Sequence, residues 1–310
     1  MNMNPVFQLA CEIAFGVLSI ATLLAWILAK RSPQNETLKK VLTIIYSWWI
    51  ILGVFLASLA VGKFGLALLF YLLSLFTAKE YLALSSLQKI RRPLFFVFTA
   101  CTTLQYIALV SQNVALYFAS VALLAAFIAP ALIIANAAIE NLGIVFAATT
   151  GMLLATHWLS YVPALPILLP SFGYTAEAAL LSVVLLVMLV ECNDVFQFLC
   201  GKMFGRRKVV PLISPNKTGA GFVGGLILTT LLSATMSHAW LHLPLVQGAV
   251  LGIVVAVAGV LGDLFFSAVK RHLKVKDFSS AIPGHGGVLD RLDSLIIAAP
   301  FYFHALLLLK

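Results

Sequence analysis

From Pro93 to Gly201 the chain carries no lysine or arginine, and long apolar runs continue on both sides of that stretch. Hydrocarbon offers no water to backbone N–H and C=O groups, so such segments must close their hydrogen bonds internally. Several of the runs exceed the eighteen or so residues that a helix needs to span a bilayer. Composition agrees: 62% of the 310 residues are hydrophobic and 10% charged, against roughly 25% charged in soluble domains. We therefore expect an all-α, polytopic integral membrane protein. About ten spans are expected, near 5–29, 41–62, 64–78, 93–111, 113–134, 142–165, 173–192, 219–239, 244–268 and 288–308. The third is short and open to being tilted, half-inserted or fused with the second. The segment at 5–29 lacks the basic start and small-residue cleavage site of a signal peptide and reads as a retained span. Cys11, Cys101, Cys192 and Cys200 show no CxxC spacing and read as buried thiols, with no disulfide or zinc site.

The basic residues fall in four groups: Lys30, Arg31, Lys39 and Lys40; Lys79, Lys89, Arg91 and Arg92; Lys202, Arg206, Arg207, Lys208 and Lys217; and Lys270, Arg271, Lys274 and Lys276. Ten spans with the N-terminus outside place all four groups on one side, with only Lys63 and Lys310 opposite. By the positive-inside rule that side is the cytoplasm, so the expected location is the cell inner (cytoplasmic) membrane. The net charge of +9 is then a cytoplasmic-face charge suited to anionic headgroups and nucleotide phosphates. Nucleic acid is excluded as a partner, because no soluble basic domain exists to hold it.

The acids locate the chemistry. The six glutamates are scattered from Glu12 to Glu191, whereas all five aspartates lie between Asp194 and Asp293. Ionisable residues in membrane segments are functional by default. The chain therefore divides into a membrane-spanning scaffold with lipid-facing helices over 1–190 and a catalytic transmembrane region with cytoplasmic nucleotide- and metal-binding loops over 191–310.

Three polar elements make up the second region. In "ECNDVFQFLCGKMFGRRKVVPLISPNKTGAGFVGG", residues 191–225, a helix is expected to end near Asn193 and Asp194. Basic residues, hydroxyls and glycines then precede the next helix, a setting that attracts polyphosphates. An ordinary basic loop followed by a small-residue packing helix fits equally well. In "GDLFFSAVKRHLKVKD", residues 262–277, a continuing helix puts Asp263, Ser267, Lys270 and Arg271 on one face. Asp263 then lies inside the membrane boundary, where it needs Lys270, Arg271 or a divalent metal to offset its desolvation. In "PGHGGVLDRLDS", residues 283–294, a glycine-rich turn runs into a helix bearing Asp290 and Asp293 at i, i+3 with Arg291 between. The two carboxylates suit a helix N-terminus as plain caps. With substrate phosphates and water they also suit Mg²⁺. His285 reads as a hydrogen-bond donor or loop-positioning residue, with a base role second. His272 reads as surface, and His157, His238, His242 and His304 as structural.

The run Ser267-x2-Lys270-Arg271-x4-Lys276-Asp277-x-Ser279-x3-Pro283-Gly284-His285-Gly286-Gly287-x2-Asp290-Arg291-x-Asp293 resembles the signature of the CDP-diacylglycerol synthases, the phosphatidate cytidylyltransferases. Asn193-Asp194, Gly201-Lys202-x-Phe204-Gly205 and Ser214-Pro215-x-Lys217-Thr218 resemble the same family in the same order, and Glu80 at a membrane edge corresponds more loosely. The resemblance implies that CTP and phosphatidate, or a related lipid phosphate, give the cytidine diphosphate lipid and pyrophosphate. It implies Mg²⁺ at two metal sites, one of them open to a monovalent ion, on Asp263, Asp290 and Asp293. It also implies a homodimer and an active site on the cytoplasmic face. Lys270, Arg271 and Arg291 join Asp263 and Asp290 as catalytic residues. Asn193, Asp194, Lys202, Ser214, Lys217, Thr218, Ser267, Lys276, Asp277, Gly284, His285, Gly286 and Gly287 are expected to hold substrate. Two segments depart from the family pattern: Val195-Phe196-Gln197-Phe198, where a small residue and Tyr are usual, and Gly219-Ala220-Gly221, where an acid is missing. They leave room for another lipid phosphate as acceptor; a CTP-dependent kinase acting on a lipid alcohol is a separate alternative, because it would share the arrangement of cations and aspartates. A transporter is a weaker alternative, because the polar cluster sits at one face rather than at the midplane.

Overall fold

A computed structural model describes residues 5–31, 34–84, 91–120, 149–151 and 153–310. Its named helices are α1 (Pro5–Arg31), α2 (Glu36–Val61), α3 (Lys63–Leu84), α4 (Arg91–Val110), α5 (Leu159–Leu168), α6 (Ala176–Phe204), α7 (Gly219–Leu241), α8 (Leu245–His272) and α9 (Val288–Leu308). A π-helical turn, Leu153–Trp158, leads into α5. No β-strand occurs among the described residues, only isolated bridges. Seven segments there are long and apolar enough to cross a membrane: Thr37–Val61, Lys63–Ala83, Thr149–Phe172, Ala176–Phe204, Gly219–Leu241, Leu245–His272 and Val288–Leu308. The protein is a polytopic helical membrane protein. The span expected near 113–134, the start of that near 142–165, and Lys89 fall wholly or partly outside the described residues.

Two expectations about helix bounds are corrected. The third span is a full helix of 22 residues, about 33 Å at 1.5 Å per residue, and matches a hydrocarbon core. Gly62, at φ 85°, separates it from α2, because only glycine takes that conformation without strain. The helix expected to end near Asn193 and Asp194 instead continues to Phe204. Tertiary contacts override local propensity there. Asn193 is buried, accepts a hydrogen bond from Thr229 Oγ1 at 3.2 Å and donates Nδ2 to the Ala256 carbonyl at 3.3 Å.

The C-terminal helices pack in series, α6 on α7, α7 on α8 and α8 on α9, while α9 also meets α3 and α5. Apolar side chains gain little by leaving lipid for protein, so membrane helices associate through close packing of small residues. Gly252 shows this: a Cβ there would stand 2.7 Å from Ser233 Cβ and from Thr230 Cα on α7. Gly221, Gly224 and Gly225 similarly let the start of α7 approach α6, at Gln197, Cys200 and Asn193. These three glycines therefore serve helix packing, and Gly221 also lines the cavity described below.

Candidate active site

The C-terminal ends of α3, α6 and α8 and the N-terminal ends of α7 and α9 meet at one end of the bundle. Cross-links join them: Lys217 to Asp263, Lys270 to Asp290, Arg271 Nε to the Ile213 carbonyl at 3.2 Å, and Ser279 Oγ to Glu80 at 2.7 Å. The segment between α6 and α7 folds back on itself through Val209 N–H to the Lys217 carbonyl and Gly219 N–H to the Arg207 carbonyl. That fold returns Lys217 and Thr218 to the end of α6.

A cavity of ≈ 230 Å³ opens here, lined by Asp194, Gln197, Phe198, Ser214, Asn216, Lys217, Thr218, Gly221, Phe222 and Asp263. Asp263 forms an ion pair with Lys217 and accepts from Ser267 Oγ, one helical turn on, at 3.1 Å. The expected helical face of Asp263 and Ser267 is present. The cation that meets Asp263 comes from the 205–218 loop, while Lys270 and Arg271 bond elsewhere. Lys217 Nζ also donates to Gln197 Oε1 at 3.2 Å and lies 5.6 Å from the Phe222 ring centroid. Gln197 Nε2 and Ser294 Oγ each reach Asp194 at 3.5 Å. Thr218 caps α7 by accepting from Gly221 N–H at 3.1 Å, so the positive end of that helix faces the cavity together with Lys217. Oriented N–H groups beside a cation favour phosphate.

The glycine turn is held by the protein's own carboxylates. Gly284 and Gly286 have φ of 78° and 85°, in the left-handed region that glycine occupies without strain. Asp290 is buried and accepts at Oδ2 from Phe278 N–H, 2.7 Å, and Gly287 N–H, 2.9 Å, and at Oδ1 from Lys270 Nζ, 2.8 Å. Glu80 of α3 takes the next two amides, Val288 at 3.0 Å and Leu289 at 2.8 Å. The start of α9 is thus capped by two carboxylates, whereas that of α7 faces the cavity. His285 N–H bonds the Ile282 carbonyl at 3.0 Å, its ring meets Trp48 edge-on at 5.8 Å, and its Nδ1 is buried without a hydrogen-bond partner. Burial, and then the nearby Arg291 charge, push this imidazole below its ordinary pKa, so it is neutral at neutral pH.

The other expected residues distribute as follows. Asp293 accepts from Ser294 N–H at 2.7 Å and interacts electrostatically with Asp263, Lys270 and Asp194. Arg291 interacts with Asp194, Glu191 and His285. Ser214 lines the cavity. Lys202 is exposed at the end of α6, 5.9 Å from the Phe198 ring centroid, and Lys276 and Asp277 are exposed on the loop before the glycine turn. Asn193, with both polar atoms engaged between helices, ties α6 to α7 and α8. The cavity residues Gln197, Phe198, Asn216 and Phe222 were not among those expected to hold substrate. Reading α6 onward past Asp194 would have found two of them, since Asp194, Gln197 and Phe198 then share one face at i, i+3, i+4. The two departures from the family pattern also meet here, because a Cβ on Gly221 would lie 2.7 Å from the Gln197 carbonyl.

Among the described residues no three His, Cys, Asp or Glu side chains converge as a ready-made metal cage. Mg²⁺ at phosphate-transfer sites ordinarily takes one or two carboxylates and completes its shell with phosphate oxygens and water. Asp194, Asp263 and Asp293 interact with one another across the site, and their hard oxygen donors fit such an ion.

Residues 42–309 match the cytidylyltransferase family. The chain is 34% identical over 296 residues to the uncharacterized protein YnbB of Escherichia coli (strain K12), covering 94% of this chain and 95% of that one. It is 40% identical over 122 residues to the phosphatidate cytidylyltransferase of Bacillus subtilis (strain 168), covering 39% of this chain and 45% of the enzyme. A match to the phosphatidate cytidylyltransferase of Aquifex aeolicus (strain VF5) is 42% identical over 113 residues, covering 36% and 41%. The similarity to these two enzymes spans less than half of their length.

Proposed function

Because the chain belongs to the cytidylyltransferase family and is thus a nucleotidyltransferase, we propose that it transfers the cytidylyl group of CTP to phosphatidate, forming CDP-diacylglycerol and pyrophosphate. The observation that carries this reading is the cavity that places Asp194, Asp263 and Lys217 at the positive end of α7. We place the CTP phosphates there, with Lys217 and Thr218 as contacts and Lys270, Arg271, Lys276 and Arg291 as the surrounding positive charge. Arginine suits bidentate phosphate contact.

In the reaction an oxygen of the lipid phosphate monoester attacks the α-phosphorus of CTP. A new P–O bond forms, the bond from that phosphorus to the α,β-bridging oxygen breaks, and pyrophosphate leaves with the electron pair. A phosphomonoester with a second pKa of roughly 6 is already largely dianionic near neutrality, so no strong base is required, and neutral His285 fits a positioning role. Mg²⁺ held by Asp263, Asp290 and Asp293, at two sites of which one can take a monovalent ion, would stabilise charge on the attacking and leaving oxygens. Asp194, which faces Asp263 in the cavity, joins that set.

The same proposal extends to topology: about ten spans, the N-terminus outside, and the site on the cytoplasmic face of the inner membrane, with a homodimer as the assembly. The clustering of Lys and Arg at the helix ends around the site supports this orientation. The acceptor itself is the finer question. Gln197 and Gly221 stand in the cavity at the two departures from the family pattern, which favours a related lipid phosphate as the second reading.

Detergent-purified protein given Mg²⁺ and CTP labelled in the cytidine tests both. Label entering the organic phase with release of pyrophosphate, in wild type but not Asp263→Asn, supports cytidylyl transfer to phosphatidate. Conversion of CTP to aqueous CDP instead moves the reaction to a lipid alcohol and overturns the proposal. Transfer only with a different lipid phosphate selects the second reading.

A further inference from the structure

Glu80 lies at the far end of α3, about two hundred residues in sequence from the glycine turn, yet it is 8% exposed and directed at that turn. Three donors converge on it: Ser279 Oγ at 2.7 Å and Val288 N–H at 3.0 Å on Oε1, and Leu289 N–H at 2.8 Å on Oε2. Val288 and Leu289 are the first two residues of α9, and Asp290 takes the Gly287 amide just before them. A carboxylate at a helix N-terminus meets both the unpaired amides and the positive end of the helix dipole. The contact is also tight, since a Cβ on Gly287 would stand 2.7 Å from Glu80 Oε2. The neighbouring helix α2 adds a second hold, Ser47 Oγ donating to the Pro283 carbonyl at 2.7 Å.

We propose that Glu80 is a positioning residue for the transfer site: it fixes the start of α9, and with it the bearing of Asp290, Arg291 and Asp293, from the half of the chain that otherwise serves as scaffold. The inference rests on the cytidylyl-transfer reading for its kinetic consequence, while its structural consequence stands apart from that reading. Glu80→Gln keeps the size of the side chain but replaces one acceptor oxygen with an NH₂ group facing a donor. Glu80 does not line the cavity in which we place the CTP phosphates, so the main effect is expected on turnover and the smaller one on nucleotide affinity.

The test compares wild type, Glu80→Gln and Ser279→Ala in detergent, by hydrogen–deuterium exchange and steady-state kinetics. Glu80→Gln should speed exchange over residues 278–292 and leave residues 219–268 unchanged. It should lower kcat about 10²-fold, as a small misplacement of reacting groups does, while KM for CTP stays within roughly threefold. Ser279→Ala, which removes one donor of three, should shift the same segment to a smaller extent and carries the test if Glu80→Gln does not accumulate folded. Unchanged exchange over 278–292, or a rise in KM at constant kcat, overturns the proposal. If wild type transfers nothing from CTP, the functional reading fails, and the exchange comparison still decides whether Glu80 holds the turn.

Discussion

The two halves of the chain differ in how much charge they bury among their neutral polar groups. In the N-terminal half, Glu80 apart, the buried polar side chains are neutral, and several of them bond to one another. Gln105 bonds His157 and, at 3.1 Å, Ser160; Tyr117 meets Ser160 at 2.8 Å; Ser74 meets Tyr106 at 3.1 Å; and Thr77 donates to the Ala155 carbonyl at 3.0 Å. These contacts join α3, α4 and the π-turn before α5, where interhelical hydrogen bonds substitute for the hydrophobic drive that lipid removes. The C-terminal half also buries neutral groups such as Asn193 and Thr229, but adds buried or half-buried charged pairs: Lys217 with Asp263, and Lys270 with Asp290. An ion pair offsets desolvation, but a cation or a phosphate can take the place of either partner. Neutral pairs hold helices together in both halves, while of the charged pairs Lys217–Asp263 lines the cavity and Lys270–Asp290 joins the glycine turn to α8.

The largest expected effect puts this contrast at greatest risk. Asp263→Asn keeps the shape of the cavity and removes a charge, and should cut CTP turnover on the order of 10³-fold with little change in thermal unfolding. A variant retaining activity within tenfold would break the assignment of the charged half to chemistry. A packing comparison comes next. Gly252→Val drives a side chain into Ser233 and Thr230 and should cost about 1–3 kcal/mol, the usual range for overpacking. Gly53→Val on α2, where nothing lies within 4 Å of the new Cβ, should leave the unfolding temperature unchanged or raise it.

Gln105→Leu probes the neutral network. Loss of its bonds to His157 and Ser160 should destabilise the fold by roughly 1–2 kcal/mol while kcat stays near wild type. A large fall in kcat without destabilisation would show that the scaffold half takes part in the chemistry beyond Glu80. The smallest effect concerns His285. Its folded pKa is depressed, so as pH falls through roughly 6.5 the unfolded chain takes up the proton first. Stability is full above that value and declines with pH until the folded-state pKa is passed. His285→Asn should flatten this slope, which thermal unfolding at pH 7.5 and 5.5 would reveal.

Much of this molecule is legible in its residues because hydrocarbon imposes a single local rule. A run of apolar residues must be helical whatever it packs against, so the membrane class and most helices follow from composition and length. The segment from Ser267 to Asp293 is similarly readable because most of its chemistry is contiguous: Ser267 does bond Asp263 one turn away, and Asp290 does cap its own helix. What a linear reading misses are pairings between distant helices. Lys217 rather than Lys270 meets Asp263, Asn193 bonds across to α7 and α8, and Glu80 crosses from α3 to cap α9. Such pairings depend on which helix faces meet, and in lipid those faces are selected by small residues and buried polar groups more than by hydrophobic pattern. The sequence by itself determined that this is a helical membrane protein with all its aspartates between Asp194 and Asp293. Only the tertiary structure decided which carboxylates open onto the cavity and which hold the turn in place.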